Sequence, residues 1–208
     1  MKEHTIFVEG EADKCFIEQL IETLPDICNQ YSIKVTVTKG WTNLVCPEKT
    51  MIYVNQMNIT SANDGVNLVI FDADENFKER EQEILKWKED NNLDFELFLL
   101  PNNSSTGELE DLLESIINPE NKAVMDCWEN YEKSLKGITI SWRKGEPLTT
   151  PAKKTKIYAY LEALLGKSKS QKELIKESKR NYLDERHWVL NAKALKPLVD
   201  FLKNNLTD

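Results

Sequence analysis

The seven residues Leu68-Val69-Ile70-Phe71-Asp72-Ala73-Asp74 are the clearest indication of the fold. Four consecutive apolar residues without alternation are typical of a strand buried on both faces, as in a parallel sheet covered by helices. A similar segment stands near the N-terminus, where Ile6-Phe7-Val8 leads into Glu9-Gly10. The sequence therefore predicts two buried strands, each ending in carboxylates.

Further strands and helices alternate around these two segments. Residues 12–24 carry apolar side chains at helical spacing, residues 33–37 alternate β-branched with polar side chains, and residues 95–100 form another apolar strand. Ser105-Thr106-Gly107-Glu108 has the S-x-x-E form of a capping box and predicts a helix that continues to residue 117. This order predicts an α/β fold, a Rossmann-like parallel central sheet with helices on both faces.

The chain divides near residue 118 by pattern and by charge. Residues 1–118 form the predicted α/β domain and carry 9 Lys and Arg against 23 Asp and Glu, a net charge of −14. Residues 119–208 form a mostly helical basic extension, expected to pack on the first domain, with a net charge of +6. Its helices are predicted at residues 123–135, 155–165, 171–178 and 192–206. Residues 41–65 mix a short helical pattern at 41–44 with an irregular polar segment at 55–65, so no firm prediction is made there.

Composition excludes several classes of protein. The longest apolar stretches fall far below the roughly 18 residues of a membrane helix, and the N-terminus has no signal-peptide core, so we expect a cytoplasmic chain with no membrane partner. The 4 cysteines show no C-x-x-C spacing and only 2 histidines are present, which argues against a zinc site. The cysteines are expected to be reduced, mostly buried thiols.

Carboxylates follow three of the predicted strands. Glu9 follows the first strand, Asp72 and Asp74 end the second, and Glu108, Glu110 and Asp111 come after the strand at residues 95–100. The carboxyl ends of parallel strands meet at one edge of a sheet, so these groups should converge. Clustered carboxylates repel one another unless a cation neutralises them, and hard oxygen ligands suit Mg²⁺ or Mn²⁺. An acid in a first helical turn also stabilises the helix dipole, and this simpler interpretation stays open for Glu11, Asp13, Glu108, Glu110 and Asp111.

The two strand ends, Ile6-Phe7-Val8-Glu9-Gly10 and Leu68-Val69-Ile70-Phe71-Asp72-Ala73-Asp74, together resemble the Toprim domain. Topoisomerases, bacterial primases, the overcoming-lysogenization-defect (OLD) nucleases, ribonuclease M5 and recombination mediators share this domain, whose signature is a strand ending in Glu-Gly followed by a strand ending in Asp-x-Asp. The segment at residues 100–113 is similar to a third segment of stand-alone Toprim-like proteins. The resemblance covers about residues 5–118 and implies a Toprim fold.

The resemblance also implies roles for individual residues. Glu9 would be the family's glutamate, acting as metal ligand or as general acid or base, and Asp72 and Asp74 would hold Mg²⁺ (or Mn²⁺). Asp13 matches a second acidic position that OLD-type nucleases use for metal. Glu110 and Asp111 would be late ligands for a second ion.

The remaining sequence narrows the activity within this family. The chain is too short for a topoisomerase, and it lacks the zinc ligands of a primase. It contains no G-x-x-x-x-G-K-[ST], so any ATPase would be a separate chain acting in trans. Metal-dependent hydrolysis of phosphodiester bonds in DNA or RNA is the leading hypothesis. The alternatives are a non-catalytic Toprim scaffold that binds nucleic acid or a partner protein, and a subunit that acts with an ATPase in phage defence.

The basic charge of the extension concentrates at residues 153–180, which carry a local net charge of +6. A nucleic-acid backbone held beside an acidic metal site would need such a surface. The alternative is a solvated helix face that complements the acidic domain. Trp142, Trp188 and Tyr182 are assigned to core or docking rather than to base stacking. The candidate nucleic-acid-binding residues are Lys153, Lys154, Lys156, Lys169, Lys172 and Arg180.

Overall fold

The computed structural model describes residues 2–207 of the chain. Its four strands are β1 (Glu3–Val8), β2 (Ser32–Val37), β3 (Asn67–Asp72) and β4 (Glu96–Leu100). In the first part of the chain the helices are α1 (Glu11–Glu22), α2 (Pro25–Cys28), α3 (Trp41–Val45), α4 (Thr50–Ala62), α5 (Phe77–Asp90) and α6 (Leu109–Ser115). The extension contributes α7 (Lys122–Lys136), α8 (Lys153–Leu165), α9 (Lys169–Glu173) and α10 (Lys196–Leu206).

The strands form one parallel sheet in the order β2-β1-β3-β4. The chain moves from β1 outward to β2 and then returns to the other side of β1 to form β3. The strand order therefore reverses between β1 and β3, where Val8 pairs with Ile70. Open α/β sheets bind their ligands beside the carboxyl ends of the strands at such a reversal.

Helices cover both faces of the sheet, as the unalternating sequence of β3 predicts. Leu68 and Ile70 belong to a core shared with α1, α6, α8 and α10. Val69 and Phe71 belong to a second core on the other face, shared with α3, α4 and α5. The predicted α/β Rossmann-like fold with a helical C-terminal region is confirmed.

The extension is anchored to the sheet by apolar and polar contacts. Trp188 and Tyr182 are buried in the same core as Ile70 and pack against each other, so their assignment to the core is confirmed. The side chain of Gln19 on α1 donates to the carbonyl of Arg180 at 2.7 Å and accepts from the amide of Tyr182 at 2.7 Å. Trp142 is different, since it is 73% exposed and contributes nothing to the core.

The segment at residues 55–65, which the sequence leaves without a firm prediction, is mostly helical, because α4 places Val54, Met57 and Thr60 on one buried face. Two local predictions are wrong. Residues 171–178 do not form one helix, since α9 ends at Glu173 and a 3₁₀ turn follows at Glu177–Lys179. The cysteines are all free thiols, but only Cys15 is buried.

The predicted capping box of α6 is also misplaced by three residues. The helix begins after Glu108, whose amide donates to Asp111 Oδ2 at 2.8 Å. Ser105 instead bonds to Asn102 Oδ1 at 3.0 Å through its amide, within the preceding turn. The acid that caps α6 is therefore Asp111 and not Glu108.

Ile70 provides a test of the sheet core. It is 0% exposed, so Ile70→Ala should lower the free energy of unfolding by about 2–5 kcal/mol through lost burial and a cavity. Ile59→Ala on α4 is the matched control, since Ile59 is 63% exposed and its truncation should cost less than about 0.5 kcal/mol. Urea denaturation followed by circular dichroism measures both, and equal losses for the two variants would contradict this packing.

Candidate functional site

A pocket of about 300 Å³ lies at the carboxyl ends of β1 and β3, where the strand order reverses. We call it the acidic pocket. Its lining includes two lysines, Lys39 and Lys154, and the backbone of Gly10 and Gly40. The carboxylates that line it are Glu9, Glu11, Asp13, Asp72, Glu108, Glu110 and Glu177. The strand ends of β1 and β3 and the first turns of α1 and α6 thus place acids around one space.

Glu9 follows β1 directly and reaches across to the neighbouring strand. Its Oε1 accepts a hydrogen bond from the amide of Asp72 at 3.3 Å. Partial burial raises the pKa of Glu9, and the nearby charge of Asp74 adds to this effect. Glu9 is therefore the side chain that joins the ends of the two central strands, in a position where holding a proton is favourable.

Asp13 caps α1 and at the same time faces the pocket. Its Oδ2 accepts from the amide of Gly10 at 2.9 Å, which starts the helix. Its Oδ1 is buried and has no hydrogen-bond partner within residues 2–207. Burial raises the pKa of Asp13, and the charges of Glu9 and Glu110 raise it further. One oxygen is thus committed to the helix, and the other is available to a ligand.

Asp72 and Glu110 complete the buried part of the acidic pocket. Asp72 Oδ1 accepts from the amide of Leu109 at 2.9 Å, so the start of α6 is tied to the end of β3. Burial, followed by the charges of Asp13 and Glu9, raises the pKa of Asp72. Burial and the charge of Glu108 raise the pKa of Glu110. Glu9, Asp13, Asp72 and Glu110 therefore form one electrostatically coupled group.

Asp74 and Asp111 do not line the pocket, although both were candidate metal ligands. Asp74 is in a left-handed conformation with φ 51°, and its carboxylate pairs with Arg80 on α5. Its backbone exchanges two hydrogen bonds of 2.9 Å with Gly107. Asp111 Oδ2 caps α6 and pairs with Lys153 at 2.7 Å. Each of these two carboxylates already has a cation of the chain as its partner.

Position 107 requires a glycine, because its φ of 141° lies in a region that favours glycine. A Cβ atom there would also lie 2.6 Å from Asp111 Oδ2. The segment that links β4 to α6 can therefore bond to Asp74 only through a glycine.

The carboxylate oxygens that line the pocket are suitable ligands for a hard divalent cation. One of them, Oδ1 of Asp13, is buried and has no hydrogen-bond partner within residues 2–207. As the side chains stand, no group of three or more His, Cys, Asp or Glu among residues 2–207 is arranged to hold a metal ion. Binding would therefore require the coupled carboxylates to draw together. Glu9, Asp13, Asp72 and Glu110 are the residues that would hold the ion.

The structure also adds residues that the sequence patterns did not single out. Lys39 and Gly40 line the pocket from the end of β2, and Glu177 lines it from the extension. The rule that collects functional groups at strand ends applies to Lys39-Gly40 as it does to Glu9-Gly10. Arg80, the partner of Asp74, lies six residues along the chain on α5, and no motif marks it.

The six candidate nucleic-acid-binding residues divide into three groups. Lys153 and Lys154 are exposed but paired, Lys153 with Glu108 and Asp111 and Lys154 with Glu177. Lys169 and Lys172 are exposed on α9 and form no ion pair in the described part of the chain.

Lys156 and Arg180 form the third group and require a correction. Lys156 is 8% exposed and pairs with Glu114, and Arg180 is 1% exposed. Neither side chain is placed to contact a phosphate backbone at the surface, because both are buried within the protein. The exposed cationic surface is therefore smaller than the sequence suggests.

A larger groove of about 860 Å³ lies elsewhere, between the end of α1 and residues 182–199. Its lining is mainly apolar, with Leu24, Trp188 and Val199 among its residues. The acidic pocket, with its coupled carboxylates, is the better candidate for chemistry because groups with perturbed pKa values concentrate at functional sites.

Fold and pocket together define the class, an α/β protein with a Rossmann-like sheet and an acidic pocket at the reversal of strand order. The chain belongs to the family described as "Protein of unknown function (DUF3226)", whose model matches residues 3–207. No curated protein and no solved structure matches the chain. The family match runs through the α/β part and the extension without a break. Within the described residues, no helix is both long and apolar enough to cross a membrane.

The raised pKa of Asp72 predicts how stability depends on pH. Above pH 4, the ordinary pKa of an aspartate being about 4, the unfolded chain releases the proton of Asp72. The folded chain keeps this proton to higher pH, because its Asp72 has a raised pKa. The folded state then binds more protons, so the free energy of unfolding of the metal-free protein should fall as pH rises from 5 to 8. Asp72→Asn should reduce this fall, since the amide keeps the acceptor for Leu109 without the charge.

Urea denaturation in a chelator, repeated at several pH values, measures the effect. Asp64→Asn is the matched control, because Asp64 is exposed and far from the pocket lining. An identical pH dependence in wild type and Asp72→Asn would contradict the proposed burial of this carboxyl.

Proposed function

We propose that the chain is a cytoplasmic, Toprim-like phosphodiesterase that hydrolyses DNA or RNA with Mg²⁺ or Mn²⁺ bound in the acidic pocket. The observation that carries the proposal is the coupled group of Glu9, Asp13, Asp72 and Glu110 at the ends of β1 and β3. Beyond burial, the charges of Glu9 and Glu110 raise the pKa values of Asp13 and Asp72, and a shared cation would offset this repulsion. The reversal of strand order at this edge is also the usual position of a ligand site in such sheets.

The residues of the acidic pocket have different proposed roles, as metal ligands or in proton transfer. Asp13 and Asp72 offer oxygens to the cation from α1 and β3. Glu9 accepts from the amide of Asp72, and burial raises its pKa, which suits a group that exchanges protons. A bound divalent ion would activate water and stabilise the charge that develops on the phosphate oxygens. Asp74 is not part of this group, and its carboxylate pairs with Arg80.

Nucleic acid is the proposed substrate because exposed lysines border the pocket. Lys39 and Lys154 line its rim, and Lys169 and Lys172 extend the positive charge along the extension. A phosphate backbone approaching an acidic pocket requires such compensation. The free cysteines are consistent with a reducing compartment. A separate ATPase chain acting in trans remains a proposed partner.

Cleavage of nucleic acids tests the activity directly. Labelled single- and double-stranded DNA and RNA are incubated with the protein and Mg²⁺ or Mn²⁺. Glu9→Gln and Asp72→Asn should each reduce cleavage by at least about 100-fold, the usual contribution of a group that moves a proton or holds the ion. Asp64→Asn should cleave like the wild type. If no substrate is cleaved in a metal-dependent way, the proposed phosphodiesterase activity is overturned and the non-catalytic Toprim scaffold is favoured.

Nucleic-acid binding tests the lysine surface separately from catalysis. Lys169→Gln combined with Lys172→Gln should weaken binding and lower the slope of log affinity against log salt by about 1–2, since each lost phosphate contact contributes about 0.9. The matched control is Lys78→Gln with Lys86→Gln, two exposed lysines on α5 against the opposite face of the sheet. Equal losses for the two double variants would contradict a specific surface on α9.

A further inference from the structure

Two exposed aromatic side chains lie in one part of the extension, residues 131–145, which we call the basic aromatic segment. Trp142 is 73% exposed and Tyr131 is 47% exposed, and no other aromatic side chain among residues 2–207 is exposed. A large apolar side chain in water gains nothing from burial in the fold. Exposed apolar groups gathered in one place are typical of a contact with a partner.

The basic aromatic segment also carries exposed positive charge. Residues 131–145 contain four cations and one acid, a net charge of +3. Three of the cations, Lys133, Lys136 and Lys144, are exposed and form no ion pair within residues 2–207. In the first turn of α8, by contrast, every lysine pairs with an acid of the protein. The charge of the basic aromatic segment is therefore available to a polyanion.

A hydrogen-bonded turn presents Trp142 at the surface. The amide of Arg143 donates to the carbonyl of Ile140 at 3.0 Å, and the amide of Lys144 donates to that of Ser141 at 3.2 Å. The guanidinium of Arg143 lies 5.8 Å from the centre of the Trp142 ring, in a cation–π contact on one side of the ring. Because Trp142 is 73% exposed, the remaining ring surface is open to a flat partner.

An exposed indole ring among cations provides the two contacts by which proteins hold single-stranded nucleic acid, namely base stacking and phosphate pairing. Bases inside a duplex are stacked on their neighbours and do not offer a free face to a side chain. We propose that the basic aromatic segment binds single-stranded DNA or RNA, with a base stacked on Trp142 and phosphates at Lys136 and Lys144. The inference rests on the proposed function for nucleic acid as the partner, and it adds the single-stranded form and a contact outside the acidic pocket.

The basic aromatic segment is close to the acidic pocket along the chain. Lys153 follows Trp142 by eleven residues, and its Nζ lies 3.4 Å from Oε1 of Glu108 in the pocket lining. Eleven residues of fully extended chain span at most about 40 Å. At about 3.4 Å per nucleotide, a strand of about 12 nucleotides covers this distance. One bound strand can therefore contact Trp142 and enter the pocket.

Binding of labelled oligonucleotides in a chelator tests this inference, because metal-dependent cleavage is then absent. Fluorescence anisotropy should show that Trp142→Ala weakens binding of single strands by about 5- to 150-fold, the effect of losing one stacked base. Binding of duplexes should change by less than about twofold. Lys136→Gln combined with Lys144→Gln should lower the slope of log affinity against log salt by about 1.4, since each phosphate contact to a single strand contributes about 0.7.

Tryptophan fluorescence reports the stacked base directly. Single-stranded nucleic acid should quench part of the emission of the wild type, and Trp142→Phe should lose this quenching. Trp142→Phe should still bind more tightly than Trp142→Ala, because phenylalanine keeps an aromatic face. Ile59→Ala is the matched control and should bind like the wild type, since Ile59 is 63% exposed on α4, a helix without charged residues.

The outcomes separate this inference from the proposed function. An unchanged affinity of Trp142→Ala for single strands, or equal losses for single strands and duplexes, would overturn the inference and leave the proposed function intact. A wild type that binds no nucleic acid would overturn nucleic acid as the proposed substrate as well. Vesicles containing phosphatidylserine are the last comparison, since a tryptophan among lysines also suits an anionic membrane. Vesicle binding that depends on Trp142, without such dependence for oligonucleotides, would assign the segment to a lipid surface instead.

Discussion

The parallel pairing of β1 with β3 is the constraint on which the rest of the molecule depends. Because Val8 lies opposite Ile70, the residues that follow the two strands emerge side by side, and Glu9 bonds to the amide of Asp72. Carboxylates placed this close repel one another, and the surrounding chain must supply either protons or cations. The arrangement of α6 and the extension can be understood as a response to that repulsion.

That response comes from a part of the chain far away in sequence. The extension contributes Lys153, which pairs with Asp111 on α6, and Lys154 and Arg180, whose charges act on Glu110 of the same helix. Its aromatic residues Tyr160, Tyr182 and Trp188 are buried in the core. Acidic domain and basic extension are therefore complementary in charge. The net charge of −8 is the sum of an acidic first part and a basic second part of the chain. Much of the positive charge serves the protein itself and is not displayed to a partner.

The patterns of β1 and β3 sufficed to predict the sheet, because burial on both faces leaves a distinct apolar run. The same logic placed Glu9, Asp72 and Glu110 at one edge, and the Toprim resemblance added Asp13; the structure brings these four acids together. It could not predict that Asp74 and Asp111 turn away, because these carboxylates bind Arg80 and Lys153, partners set by tertiary packing. Burial of Arg180 was equally hidden, since its lysine-rich neighbours suggest a solvated surface. Local composition does not reveal which cation faces inward.

The helix caps at Gly10 and Glu108 affect how relatives of this chain should be compared. Asp13 and Asp111 each close the first turn of a helix, so a relative would retain an acid at either position even after losing any chemistry in the pocket. Glu9 has a structural duty as well, since its carboxylate accepts from the amide of Asp72 and from that of Trp41 at the start of α3. The informative sign of a working pocket in a relative is therefore retention of these acids as a set, because each one alone also serves the fold.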